Sequence, residues 1–279
     1  MKKLLIALLT LVLCFTAFGC NQKTDDNKKL KVINIELTAE TYAFAIAKEN
    51  TELKEKVNTW LNDIMENGHL EEVINSFFDG TTEFTYTNPA SKEGCLVVAT
   101  NAYFPPFEYY EGNKLTGIDI QLAYELAQYL GKNLYVEDMD FEAIINSVKI
   151  GNCDIGMAGL TVNEERLESV DFSVGYYESA QVMIVKETCT DFDNCQTADD
   201  VLAVLATKDT SYEIGAQNGT TGYMFSAGDS GFGYDGITNV TTLGFTSGAL
   251  AALDVKNGKI DAVIIDLQPA LAIVENLNA

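Results

Sequence analysis

The stretch Leu96-Val-Val-Ala-Thr-Asn-Ala-Tyr-Phe-Pro-Pro-Phe-Glu108 opens a pattern that runs to the end of the chain. Its first five residues are a short apolar run that reads as a strand, and apolar residues then recur at Ile118, Leu122, Leu126 and Leu130. That spacing is one face of a helix, stopped by Gly131. Further out come a strand at 134–136, a helix at 141–150 ended by Gly151, and a strand at 154–158. The second half repeats the rhythm, with helices near 198–206, at 248–255 and after Pro269, and strands at 214–217 and 262–265. Strands alternating with helices of about ten residues predict βαβ units and mostly parallel sheets, with ligands at the carboxyl ends of the strands.

Composition narrows the functions that such a chain can carry. Its 279 residues hold 41 acidic side chains against 18 basic ones, a formal charge of -23, and 47% are hydrophobic. A surface this acidic repels phosphate backbones and anionic lipid, which argues against nucleic-acid binding and electrostatic membrane docking. The length suits one large domain or two, each with its own core. Lys2 and Lys3 followed by the apolar run 4–18 have the layout of a secretory signal over residues 1–19. The site Ala17-Phe18-Gly19-Cys20 resembles a bacterial lipobox, so Cys20 is the expected lipidated first residue and 20–29 a flexible tether.

Cys95, Cys153, Cys189 and Cys195 remain, and four cysteines allow three pairings. Cys189 and Cys195 close a short polar loop and are the better disulfide candidate. Cys95 and Cys153 each open an apolar run, which would set them side by side at the starts of neighbouring strands. A zinc site is disfavoured because no C-x-x-C occurs and the single histidine, His69, is remote in sequence. No metal or cofactor is expected.

Several ordered motifs carry a family resemblance: residues 96–108, Leu115-Thr-Gly-Ile-Asp119, Cys153-Asp-Ile-Gly-Met-Ala-Gly-Leu-Thr161, Glu165-Arg166 and Val170-Asp-Phe-Ser173. It continues through Gln217-Asn-Gly-Thr-Thr221 and residues 258–266. Together they resemble the amino-acid-type extracellular solute-binding proteins of ABC importers (family 3). The resemblance implies an α/β, two-lobed periplasmic-binding-protein type II fold with two hinge strands. Motif order departs from the family: the expected ending, Tyr42 to Lys48 and the helical segments 52–67 and 70–78, stands at the front. The expectation is therefore a circular permutant joined through the linker 79–94. Lobe 1 would comprise 43–78 and 95–176, lobe 2 would comprise 30–37 and 181–279, and the hinge strands would be 38–42 and 176–180.

The resemblance also implies a binding cleft. Arg166 is the one arginine among 18 basic residues, and a planar guanidinium grips a carboxylate at two points. Gly159 and Thr161 match positions that bond the ligand head group. Thr220 and Thr221 stand where a strand turns into a helix, with N–H groups and hydroxyls for a carboxylate, and Asp266 matches the carboxylate that binds an ammonium. Phe104 and Phe141 would sandwich an aliphatic stem, and Tyr103 would add a hydroxyl. Asn101 stands where relatives often carry Asp, and Gln217 offers an amide, so a polar uncharged amino acid such as glutamine is expected, with other neutral amino acids or cystine next.

The function implied is a substrate-binding lipoprotein on the outer face of a bacterial membrane, a monomer delivering an amino acid to an ABC permease. The rival classes are a cyclohexadienyl-dehydratase-like enzyme on the same fold, which could recruit Glu108 or Glu165 as an acid, and a ligand-sensing surface lipoprotein. A catalyst needs an acid or base aimed at a reacting atom, and the sequence holds no G-x-S-x-G and no metal-binding cluster.

Overall fold

A computed structural model describes residues 28–279, so the expected signal, Cys20 and most of the tether lie outside the described residues. Two five-stranded sheets make two lobes. In the first, β8 (Leu134–Asp138), β4 (Leu96–Thr100) and β9 (Ile155–Gly156) run parallel, and β3 (Ala45–Ile46) and β10 (Asp171–Phe172) extend the sheet antiparallel to one another. In the second, β14 (Thr241–Phe245), β13 (Glu213–Gln217) and β15 (Ala262–Asp266) are parallel, β12 (Gln181–Lys186) is antiparallel to β15, and β1 (Leu30–Ile33) is antiparallel to β12. The sheets are thus mixed where mostly parallel ones were expected. The antiparallel strands are those reached by direct extended crossings between the lobes, which need no helix.

Those crossings are β2 (Glu40–Tyr42) and β11 (Tyr177–Ser179), which pair antiparallel with each other. A three-stranded sheet, β5 (Tyr103–Phe104), β6 (Glu108–Glu111) and β7 (Lys114–Thr116), folds back over the end of β4. Its tight return depends on Gly117, at φ 122°, where an added Cβ would lie 2.1 Å from the Phe107 carbonyl oxygen.

Helices cover both sheets. In α1 (Thr51–Glu66) the buried residues Val57, Trp60, Leu61 and Ile64 repeat at helical spacing, and Asn50 caps the first turn by accepting from the Leu53 N–H at 3.3 Å. With α2 (His69–Phe78) this helix packs on α3 (Ile118–Tyr129) of the first lobe. The segment expected as one helix at 141–150 is a 3-10 turn, Phe141–Ala143, leading into α4 (Ile144–Lys149). The remaining helices are α5 (Glu164–Ser169), α6 (Ala198–Leu205), α7 (Thr221–Ala227), α8 (Gly248–Lys256) and α9 (Leu267–Asn278). The last begins two residues before Pro269, because a proline is tolerated in a first turn whose N–H groups have no intrahelical acceptor. None of the described helices is long and apolar enough to cross a membrane.

The apolar core continues through the crossing region. Tyr42 and Phe44 are fully buried, and the Tyr42 ring meets Phe107 edge-on at 5.2 Å. Burial of each such ring contributes about 2 to 3 kcal/mol. Where the two ends of the described residues come near each other, the Asn278 side chain brackets Leu30. Its Oδ1 accepts from the Leu30 N–H at 2.9 Å and its Nδ2 donates to the Leu30 carbonyl at 2.8 Å.

Both expected cysteine pairings are corrected, because all four thiols are free. In the parallel register Val98 stands opposite Ile155, so Cys153 falls level with Leu96 and not with Cys95. A one-residue offset sends the two side chains to opposite faces of the sheet. Cys153 turns under α4, where Ser147 Oγ lies 3.2 Å from its sulfur. The loop between Cys189 and Cys195 is held by Phe192, which is buried in the second lobe's core, instead of by a covalent closure.

Candidate functional site

Four parallel strands, β4 and β9 of one lobe and β13 and β15 of the other, end at the same cleft. A small, nearly closed cavity lies there, and its lining includes all ten of the ligand-binding positions expected from the sequence. Asn101 follows β4, Phe104 lies on β5 and Phe141 opens the 3-10 turn. Gly159 and Thr161 follow β9, and Arg166 reaches in from α5. From the other lobe Gln217 and Asp266 end β13 and β15, while Thr220 and Thr221 open α7. Glu108, which the sequence reading offered only as an acid for the rival enzyme, is the eleventh. Tyr103 is 55% exposed and outside the lining, because the alternation of β5 points Phe104 inward and its neighbour out.

Arg166 is buried, not an ordinary surface arginine. Nη1 donates to the Thr161 carbonyl at 2.7 Å and Nη2 to the Gly219 carbonyl at 3.1 Å, one from each lobe. Its guanidinium carbon lies 5.5 Å from the Phe141 ring centre and 5.8 Å from that of Phe232. Burial lowers its pKa to about 10, with the Glu40 and Asp266 carboxylates opposing the shift, so it is charged at neutral pH. A guanidinium carries five N–H groups. Two are committed to these carbonyls, which leaves the others for a carboxylate.

Asp266 accepts from the Tyr42 hydroxyl in a short bond and from Ser179 Oγ at 3.1 Å. Burial first, and the Glu40 carboxylate second, raise its pKa to about 7. Beneath it lies an acid pair. Glu108 is fully buried and raised well above the carboxylate range by burial and by Asp119. Asp119 accepts from Tyr176 Oη at 2.6 Å and from the Gly159 N–H at 2.9 Å, and burial raises it to about 6. Gly159 is required here: at φ 52° an added Cβ would stand 2.8 Å from the Phe104 ring.

At the opposite end of the cavity, Gln217 Nε2 donates to Asn101 Oδ1 at 2.8 Å, and Asn101 Nδ2 donates to the Met139 carbonyl at 2.8 Å. Two neutral amides from different lobes therefore form one polar surface.

The hydroxyls of the three threonines do not face a ligand as expected. Thr220 Oγ1 turns back to the Gln217 carbonyl at 2.7 Å and caps α7 through the Tyr223 N–H. Those of Thr161 and Thr221 both donate to Glu40 Oε2, at 2.6 and 2.8 Å. Thr161 is bridged to Tyr42 with Ala43 N–H bonding Leu160 O and Val162 N–H bonding Thr41 O. This makes Thr161 the non-hydrogen-bonded member of the pair, so its own N–H and C=O point away from β2 toward Arg166. Glu40 and Tyr42 were missed as site residues. They share one face of β2, as positions i and i+2 of a strand do, but three residues are too few to show that period in the sequence.

Residues 96–230 match the model of bacterial extracellular solute-binding proteins, family 3. Over 103 residues the chain is 37% identical to the arginine-binding extracellular protein ArtP of Bacillus subtilis (strain 168), covering 36% of this chain and 40% of that protein. An ancestral arginine-binding protein bound to glutamine superposes with a TM-score of 0.56 at 33% identity, covering 66% of this chain and 74% of the other. The ancestral amino acid-binding protein AncCDT-1, a precursor of cyclohexadienyl dehydratase, has a TM-score of 0.56 at 29% identity, covering 67% and 75%.

Proposed function

The chain belongs to family 3 of the bacterial extracellular solute-binding proteins, and on that footing we propose that it is the substrate-binding lipoprotein of an ABC importer. In this reading a polar, uncharged amino acid is captured between the lobes and delivered to a membrane permease. The observation that carries it is the convergence of Arg166, Asp266 and the Asn101–Gln217 amide pair on one cavity. An α-amino acid presents a carboxylate, an ammonium and a side chain. The free N–H groups of Arg166 and the Thr161 N–H suit the first, and Asp266 with Tyr42 behind it suits the second. The paired amides suit a side-chain amide, which donates and accepts as they do. Phe104 and Phe141 flank the space between.

Lipidation at Cys20 and the monomeric state belong to the same proposal, as does circular permutation. The permutation is supported by the placing of β3 between β10 and β9 and by the Asn278–Leu30 bracket near the chain ends. A lobe whose ends adjoin at the surface tolerates rewiring. The strands β2 and β11 are the proposed hinge.

Calorimetric titration with the twenty amino acids tests the ligand. Glutamine or another neutral polar residue binding most tightly is the expected result, and arginine binding most tightly overturns the uncharged assignment. One observation favours that second outcome: Glu108 and Asp266 line the same cavity as the single arginine, and the Glu40 carboxylate acts on that arginine from nearby. The enzyme reading draws on Glu108, a carboxyl that burial keeps neutral beside the cavity. Incubation with amino acids and prephenate-like acids separates it, since a binder returns its ligand unchanged.

A further inference from the structure

Glu40 lies on β2, one of the two strands by which the chain passes between the lobes, yet its side chain is only 4% exposed. Its carboxylate is a junction. Oε1 accepts from Thr38 Oγ1 at 2.8 Å, while Oε2 accepts from Thr161 of the first lobe at 2.6 Å and from Thr221 of the second at 2.8 Å. Every hydroxyl proton in this arrangement is spoken for. Thr38 Oγ1 accepts from the Gln181 N–H at 2.9 Å, and Thr221 Oγ1 accepts from Gln181 Nε2 at 3.0 Å, so each hydroxyl gives its single hydrogen to Glu40. Hydrogen bonds to an ionised acceptor are roughly twice as strong as neutral ones, and here they are withdrawn from water.

The two bonds to one oxygen demand that Thr161 and Thr221 approach the same point from opposite lobes. That happens only when the lobes are together. Thr161 also ties this junction to the arginine, since its carbonyl accepts from Arg166 Nη1 at 2.7 Å. We infer that Glu40 is a positioning residue that latches the two lobes through Thr161 and Thr221 and so sets ligand affinity without taking a ligand group itself. The part concerning affinity rests on the reading that the cleft takes an amino acid.

Paired spin labels, one on the exposed face of each lobe, measure the interlobe distance with and without amino acid, beside calorimetric affinities. Glu40→Gln keeps the side-chain size and removes the charge. The expected result is a shift of the distance distribution toward separated lobes and an affinity lower by about tenfold. Thr221→Val gives a comparable loss, and the double variant loses little more, because both changes break one interaction. Unchanged distances in Glu40→Gln overturn the latch. So does tighter binding, which would show that the Glu40 carboxylate competes with the ligand's own. If Glu40→Gln does not fold, Thr161→Val and Thr221→Val each remove one end of the latch and carry the same test. If the wild-type chain binds none of the twenty amino acids, the amino-acid reading falls and the distances alone decide the latch.

Discussion

Replacing Asp266 by asparagine should stabilise the protein at alkaline pH and not at acid pH. Asp266 is 5% exposed and stands beside Glu40, and its pKa rises from an ordinary 3.8 to about 7, first through burial and then through that neighbour. A carboxyl whose folded-state value is raised contributes its full favourable share below the unfolded value and loses it as pH rises through the folded one. The window is therefore about pH 4 to 7. Three units at about 1.36 kcal/mol each give a ceiling of about 4 kcal/mol. For a chain of this size 1 kcal/mol moves Tm by about 2 to 4 °C. Asparagine keeps an oxygen for the Tyr42 and Ser179 hydroxyls, and whatever its substitution costs locally is the same at every pH. Scanning calorimetry of wild type and Asp266→Asn at pH 4 and pH 8 isolates the electrostatic part as the change in their Tm difference. A gain of about 5 to 15 °C for the variant between the two pH values is expected. An offset that does not change with pH, or a variant relatively weaker at pH 8, would refute the account, since it would mean that Arg166 holds the carboxylate ionised at no cost to folding.

The same residue predicts proton release: at pH 7 Asp266 is about half protonated, and an ammonium beside it favours the ionised form. Titration of the ligand in buffers of different ionisation enthalpy should show up to about half a proton released, against none if Asp266 stays ionised throughout. Arg166→Lys keeps a charge but loses the fork that also reaches the Thr161 and Gly219 carbonyls. Calorimetry should find binding weaker by about 2 to 5 kcal/mol, the usual cost of breaking a desolvated charge pair. Gly159→Ala should destabilise by about 2 to 4 kcal/mol from its left-handed backbone and the Phe104 contact. Pairing it with Phe104→Leu should recover part of that loss in thermal melts.

Periodicity exposed the scaffold because burial imposes it. The runs at 96–100, 134–136 and 262–265 became β4, β8 and β15, and Gly131 follows the end of α3. Side-chain commitments were less legible. A threonine at the mouth of a cleft reads as a donor to a ligand, and only the fold reveals an acceptor within the protein that takes its proton first. Glu40 was hidden for the complementary reason: a three-residue strand has no room for a period, and a glutamate in it reads as surface. Cysteine spacing misled at Cys95 and Cys153 because sequence gives the order of strands and not their register, and a shift of one residue reverses the face.

The charge balance of the cleft follows from these commitments. The cavity sets one guanidinium, that of Arg166, against the Asp266 carboxyl, and Glu108 stays neutral through burial. Glu40 is satisfied by three hydroxyls, so it asks for no cation. That leaves Arg166 and Asp266 as the two groups still able to take a charged partner, and a zwitterion supplies one of each sign without changing the sum. Discrimination among zwitterions then falls to the Asn101–Gln217 surface, which offers no fixed charge. A cationic side chain lodged there would have to be held by dipoles alone, and that cost is what favours an uncharged one.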